Sequence, residues 1–179
     1  MTLTDESGSM ILDFPGFIAA KRYDTYENQC NGLKLVDYVT EDESNLYFIE
    51  VKNYINNSPS IKIQNAMNKR LNADYRMLTD PSAAFPLEVG MKFKDSMFHY
   101  LMSGNDFSKN ISLLLIINPP PQLTARDRLR LKTNINNGYI PNNMHKNPDK
   151  YPRIQPIYFD MPTLTEAKEL YGINVCMQT

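Results

Sequence analysis

LKLVDYV (33–39) and LYFIEVKNY (46–54), separated by TEDESN (40–45), are the stretches whose reading decides the fold of this chain. Both outer segments are rich in β-branched and aromatic residues, the composition of strands. The polar segment between them reads as a turn, so the three predict a β-hairpin. Folded symmetrically about the bond between Glu43 and Ser44, the hairpin places Asp37 opposite Glu50. Side chains alternate faces along a strand, so Glu50 and Lys52 share one face and Asp37 joins them. Directly opposite residues have Cβ atoms about 4.5–5.5 Å apart. A shift of one residue in register sends Asp37 to the other face.

Two carboxylates that close repel each other, and their flanks (Tyr47, Phe48, Ile49, Val51) are apolar. Charges embedded in apolar strands need compensation. A divalent cation supplies it, and hard oxygen ligands suit magnesium or manganese. Lys52 adds a second positive charge that can address an attacking water. A polarised phosphate, an activated water and a cation for the developing negative charge are the parts that phosphodiester hydrolysis requires. The competing reading places Glu50 and Lys52 on a solvated face with Asp37 an incidental neighbour.

Outward from the hairpin, residues 14–29 are expected to form a helix after a Pro-Gly turn, and 1–12 a ragged start. Within 55–82, Ile63, Met67, Leu71 and Tyr75 fall four apart, a helical spacing. Residues 87–104 predict an amphipathic helix with Leu87, Met91, Phe98 and Leu101 or Met102 toward one side, and Gly104 as its C-cap. The run ISLLLIIN (111–118) is apolar throughout, as in a strand buried on both faces. Residues 123–136 predict a helix with Thr124 as N-cap, and 137–152 a loop. Residues 153–161 predict a strand, placed at an edge or bulge by Pro156, and 163–172 a terminal helix. The fold class expected is α/β, a mixed sheet covered by helices, in a single domain over 1–179.

Composition narrows the function classes. The 179 residues carry a formal net charge of -1, so there is no global basic footprint for nucleic acid, and any such function must rest on a local site. Cys30 and Cys176 lie in no CxxC or Cys/His cluster, and the two histidines are His99 and His145. That argues against zinc and for reduced thiols in a cytoplasmic protein. The first ten residues have no basic or apolar leader pattern. The longest apolar run falls far short of the roughly 20 residues a membrane span needs, so no membrane partner is expected.

LVDYV followed by LYFIEVKNY resembles the core of the PD-(D/E)XK nuclease superfamily, which includes restriction endonucleases, archaeal Holliday-junction resolvases and many defence nucleases. The acid is Asp37 and the E-x-K is Glu50-Val51-Lys52. More narrowly, the hairpin is similar to bacterial members with a K-x-VDF…IEVKD pattern. Residues 34–38 and 49–53 fit it, with Tyr38 for Phe and Asn53 for Asp. Val36 stands where the motif's name has proline. The resemblance implies a restriction-endonuclease-like fold whose core runs helix, three strands, helix, strand. On that scheme 111–118 is the third strand after the hairpin, 153–161 the last, and the helix before 111 an insertion.

The resemblance also implies roles. Asp37, Glu50 and the Val51 carbonyl would bind Mg2+ or Mn2+, and Lys52 would orient the water or stabilise the transition state. Glu27 is the candidate for the upstream glutamate of some members, with Asp24 and a plain surface role competing. Lys92 and Asp95 match a K-x-x-D pattern on a later helix, which makes Lys92 an additional candidate. The competing reading of Lys92 is a solvated helix residue. Arg126, Arg128, Arg130 and Lys132 form a basic stretch that could touch phosphates, and the same solvated reading is the more ordinary one for them. The function expected is a metal-dependent DNA endonuclease, in restriction or anti-phage defence. The alternative is a catalytically silent nuclease-fold subunit that binds a protein partner in a larger complex. A homodimer suits a duplex cutter. An accidental motif in an unrelated α/β domain is the third reading, and it expects Asp37 and Glu50 on opposite faces.

Overall fold

The computed structural model describes residues 1–4, 10–25, 32–53, 84–119, 123–140 and 155–177. Its organising element is a five-stranded mixed sheet in the order β3-β4-β5-β6-β7. The strands are β3 (Ala19–Arg22), β4 (Tyr38–Glu41), β5 (Asn45–Asn53), β6 (Asn110–Asn118) and β7 (Ile157–Asp160). The first three form an antiparallel meander, and β5, β6 and β7 run parallel. A second sheet of three short strands, β1 (Thr2–Thr4), β2 (Met10–Asp13) and β8 (Asn174–Met177), has the order β1-β2-β8.

The hairpin forms in the expected register: Tyr38 pairs with Ile49, Val39 with Phe48, and Glu41 with Leu46. Asp42 locks its turn by accepting from the backbone N–H groups of Ser44 (2.8 Å) and Asn45 (2.7 Å). The apolar run 111–118 is the interior strand β6, with Ile111 and Leu113 to Ile117 all buried, because it has parallel neighbours on both edges and layers on both faces. Strand β7 takes the sheet edge, the position expected for it, and begins just after Pro156.

Three helices among the described residues complete the layers: α1 (Ala84–Met102), α2 (Ala125–Tyr139) and α3 (Leu164–Tyr171). Helices α1 and α2 cover one face of the large sheet. Phe85, Val89, Phe93 and Met97 of α1 and Leu131 and Ile135 of α2 pack there on Phe48, Leu113, Leu115 and Phe159. The opposite face is covered by Leu12 and Phe14 from the β2 region and by Ala167 of α3, which pack on Tyr38, Ile49, Leu114 and Ile116. Thr124 caps α2 as expected, accepting from Asp127 N–H. A capping box of Thr163 and Glu166 opens α3, and Gly172, at φ 68°, closes it in the left-handed conformation that glycine adopts without strain.

Three expectations need correction. No helix spans 14–25; Ala19–Arg22 is strand β3, because its backbone pairs with β4, outweighing the helical preference of Ala, Lys and Arg. The ragged start instead supplies β1 and β2 to the small sheet. The face of α1 turned to the sheet is not that of Leu87, Met91, Phe98, Leu101 and Met102, all of which are exposed, but the one carrying Phe85, Val89, Phe93 and Met97. The strand scheme shifts as well: the third strand of the meander precedes the hairpin, and α1 is the crossover between β5 and β6. The helical stretch expected within 55–82 lies outside the described residues. Among those described, no helix is long and apolar enough to cross a membrane.

Candidate active site

Strand β5 directs Leu46 and Phe48 into the α1-facing core, and the same alternation carries Glu50 and Lys52 onto that face toward its carboxyl end. Ligands of open α/β sheets bind at this end of parallel strands. Glu50 is 1% exposed, a carboxylate inside an apolar sheet. Two lysines compensate it. Lys52 Nζ lies 2.7 Å from its Oε1. Lys92 Nζ, from the middle of α1, donates to Oε1 at 2.7 Å and to Oε2 at 2.9 Å.

Asp37 precedes β4. Its Oδ2 accepts a 2.7 Å hydrogen bond from the Val51 N–H, and its Oδ1 lies 3.7 Å from Lys92 Nζ. Lys92 therefore spans the two acids, which sit on the same face of the sheet. The carbonyl of a strand residue points to the same edge as its N–H, so the Val51 carbonyl is directed to the Asp37 side as well. Burial, followed by the charge of Glu50, pushes the Asp37 carboxyl up to about 7, against the pull of Lys92 and the Val51 N–H. Burial opposes the charged form of Lys92 too, but the charges of Glu50 and Asp37 outweigh it and hold the ammonium above its ordinary value.

The reading of Lys92 as a solvated helix residue is thus corrected: its side chain is 17% exposed and tied to Glu50. Two neighbours on α1 hold the segment that carries Asp37. Asp95 Oδ2 accepts from the Lys34 N–H at 2.9 Å, and Ser96 Oγ from the Val36 N–H at 2.8 Å. Sequence reasoning missed Ser96. The signal available for it was its place one helical turn after Lys92, on the same side of the helix. Both members of the K-x-x-D pattern act on the 34–37 segment and its partner strand.

Among the described residues, Asp24 is an upstream acid whose charge reaches the site, weakly raising both Asp37 and Lys92. Glu27 lies outside the described residues. Two residues of the basic stretch are engaged elsewhere. Arg128 makes a two-pronged ion pair with Glu166, and Lys132 Nζ donates to Asp160 Oδ1 at 2.6 Å, which ties α2 to α3 and β7. Arg126 and Arg130 are exposed.

The donor set fits a hard divalent cation. Asp37 and Glu50 flank one cationic position, which the Lys92 ammonium fills. No group of three or more His, Cys, Asp and Glu side chains is arranged to hold a metal among the described residues. Water and ligand oxygens would complete the shell, which is usual for magnesium. Compared with protein-family models, curated protein sequences and solved structures, the chain matches none.

Proposed function

We propose that the chain is a magnesium- or manganese-dependent endonuclease that hydrolyses phosphodiester bonds in DNA, in restriction or anti-phage defence, on a restriction-endonuclease-like fold. The observation that carries this reading is the convergence of Asp37, Glu50, Lys52 and Lys92 on one face at the carboxyl end of β5. The topology supports it. An antiparallel three-strand meander, a helix and a parallel strand follow the three strands, helix and strand of the core that the motif implies. The leading helix of that core has no counterpart in 10–25.

Asp37, Glu50 and the Val51 carbonyl would hold the metal, which when bound supplies Lewis acidity toward a phosphate oxygen and acidifies a bound water. Lys52, half-buried at the rim of the site, orients the attacking water and offsets negative charge that develops on the phosphate. Asp95 and Ser96 keep the Asp37 segment in place, so the acids are positioned before substrate arrives. Cleavage of supercoiled plasmid, single-stranded DNA, a branched junction and RNA, with magnesium, manganese or EDTA, tests the reading. Metal-dependent cutting that disappears in Lys52→Ala is the expected result, and equal cutting by the mutant would sink it.

A second reading, a nuclease-fold subunit that binds a protein partner without cutting, is favoured by the outward stripe of α1. Leu87, Met91, Phe98 and Met102 recur on one side of the helix and are exposed, Met102 by 72%. An inert protein that co-purifies stoichiometrically with a partner would support it, and metal-dependent cutting by the isolated chain would remove its basis.

A further inference from the structure

We infer that Lys92 is a built-in competitor for the metal: its ammonium holds the cation position between Asp37 and Glu50 in the free protein, and a divalent ion enters by turning it out. The inference rests on the metal-dependent reading above and deepens it.

The geometry separates the two lysines. Lys52 touches one oxygen of Glu50, from the same strand. Lys92 reaches in from α1, takes both oxygens of Glu50 and approaches Asp37 Oδ1. A single cation contacting both acids occupies the place a metal needs. Charge makes the same point. With both acids ionised, two carboxylates and two ammonium groups cancel, and nearby Asp24 is paired with Arg22 at 3.3 Å, so the cluster is neutral before any metal arrives. A divalent ion added beside both lysines leaves a buried double positive charge, which is costly in a poorly solvated site. Withdrawal of Lys92 halves that excess and frees oxygens on both acids. Lysine can make this move, because its charge is a point on a flexible stem of four methylenes.

The test is manganese binding to the full chain, measured by calorimetry without nucleic acid, for wild type, Lys92→Met, Lys92→Gln and Lys52→Met. Removing a nearby positive charge that also blocks the site is expected to tighten binding by about tenfold or more in both Lys92 variants. Lys52→Met should gain clearly less. The glutamine variant keeps a hydrogen-bond donor for Glu50, in case the methionine variant fails to fold. Wild type supplies an independent reading: acetic anhydride labelling of Lys92, followed by mass spectrometry, should rise several-fold when manganese is added. Equal manganese affinity in wild type and both Lys92 variants overturns the inference but leaves the metal site standing. So does an equal gain in Lys52→Met, or labelling of Lys92 that manganese does not change. No manganese binding by any of the four proteins overturns the inference and the metal-dependent reading together.

Discussion

The Lys92 ammonium lies 2.7 Å and 2.9 Å from the two carboxylate oxygens of Glu50, a residue 42 positions earlier in the chain. This contact joins α1 to β5 at the one fully buried acid among the described residues. Removing one partner of a buried pair costs roughly 3–5 kcal/mol when the other charge is stranded. Here Lys52 still compensates Glu50, so Lys92→Met is expected to lose about 2–3 kcal/mol. In a Glu50→Gln background the same substitution should cost well under half as much. Urea unfolding of the four proteins of this cycle measures the coupling. Equal losses in both backgrounds would show that Lys92 acts through packing rather than charge.

Asp37 titrates near 7 because it is buried beside Glu50. The native state therefore keeps a proton that the unfolded chain has released above its ordinary carboxyl range. That contribution to stability is fully present below about pH 4 and is lost as pH rises through about 7. Without metal, Asp37→Asn should exceed wild type in stability by about 1–3 kcal/mol at pH 8, and the gap should close toward pH 4. Under the metal-dependent reading, manganese and the proton would compete for the same carboxylate, so wild-type manganese affinity should climb with pH up to about 7 and then level. Thermal melts and calorimetry across this range check both slopes, and flat profiles would contradict the assignment.

Gly90 lets α1 and α2 touch. A Cβ built there would lie 2.3 Å from Tyr139 Cβ, so Gly90→Ala must push the helices apart. The expected cost is about 1–3 kcal/mol. Gly138, on α2 with open space around it, is the control: Gly138→Ala should stabilise by about 0.5–1 kcal/mol. Denaturant midpoints that move in the same direction for both variants would count against this packing.

Cleavage should depend on each acid as well as on Lys52. Under the nuclease reading, Glu50→Gln is expected to lower the magnesium-dependent rate by about 10²-fold or more, since it removes a metal-binding charge. Circular dichroism should show that the variant is folded. A rate within a few-fold of wild type would remove Glu50 from the site.

The hairpin was legible because it is a local property: two runs rich in β-branched and aromatic residues, 33–39 and 46–54, flank a short polar turn. The turn sequence does not fix a register symmetric about Glu43–Ser44, and the strands pair in that register. That is why Asp37, Glu50 and Lys52 could be grouped from sequence. Strand β6 and the cap at Thr124 were equally local. Helix α1 was found, but its orientation was not, since it carries two apolar stripes. The inward one holds Lys92 and Ser96 among Phe85, Val89, Phe93 and Met97, and so looks less apolar than the outward stripe of Leu87, Met91, Phe98 and Met102. Periodicity cannot choose between them, because the polar residues on the inward face belong there only once Glu50 and the Val36 N–H are present to receive them.

The same distinction separates the rest. Strand-forming composition on either side of a short polar turn, within some twenty residues, determined the hairpin, and a symmetric register across that short loop brings its two carboxylates together. Only the tertiary structure decided that Ala19–Arg22 is a strand, that 10–13 and 174–177 pair, and that Lys92 closes the site. Each depends on a partner far along the chain. Hydrogen bonding to β4 stabilises an Ala-, Lys- and Arg-containing segment as an edge strand, and a buried carboxylate draws in a lysine that would otherwise stay in water.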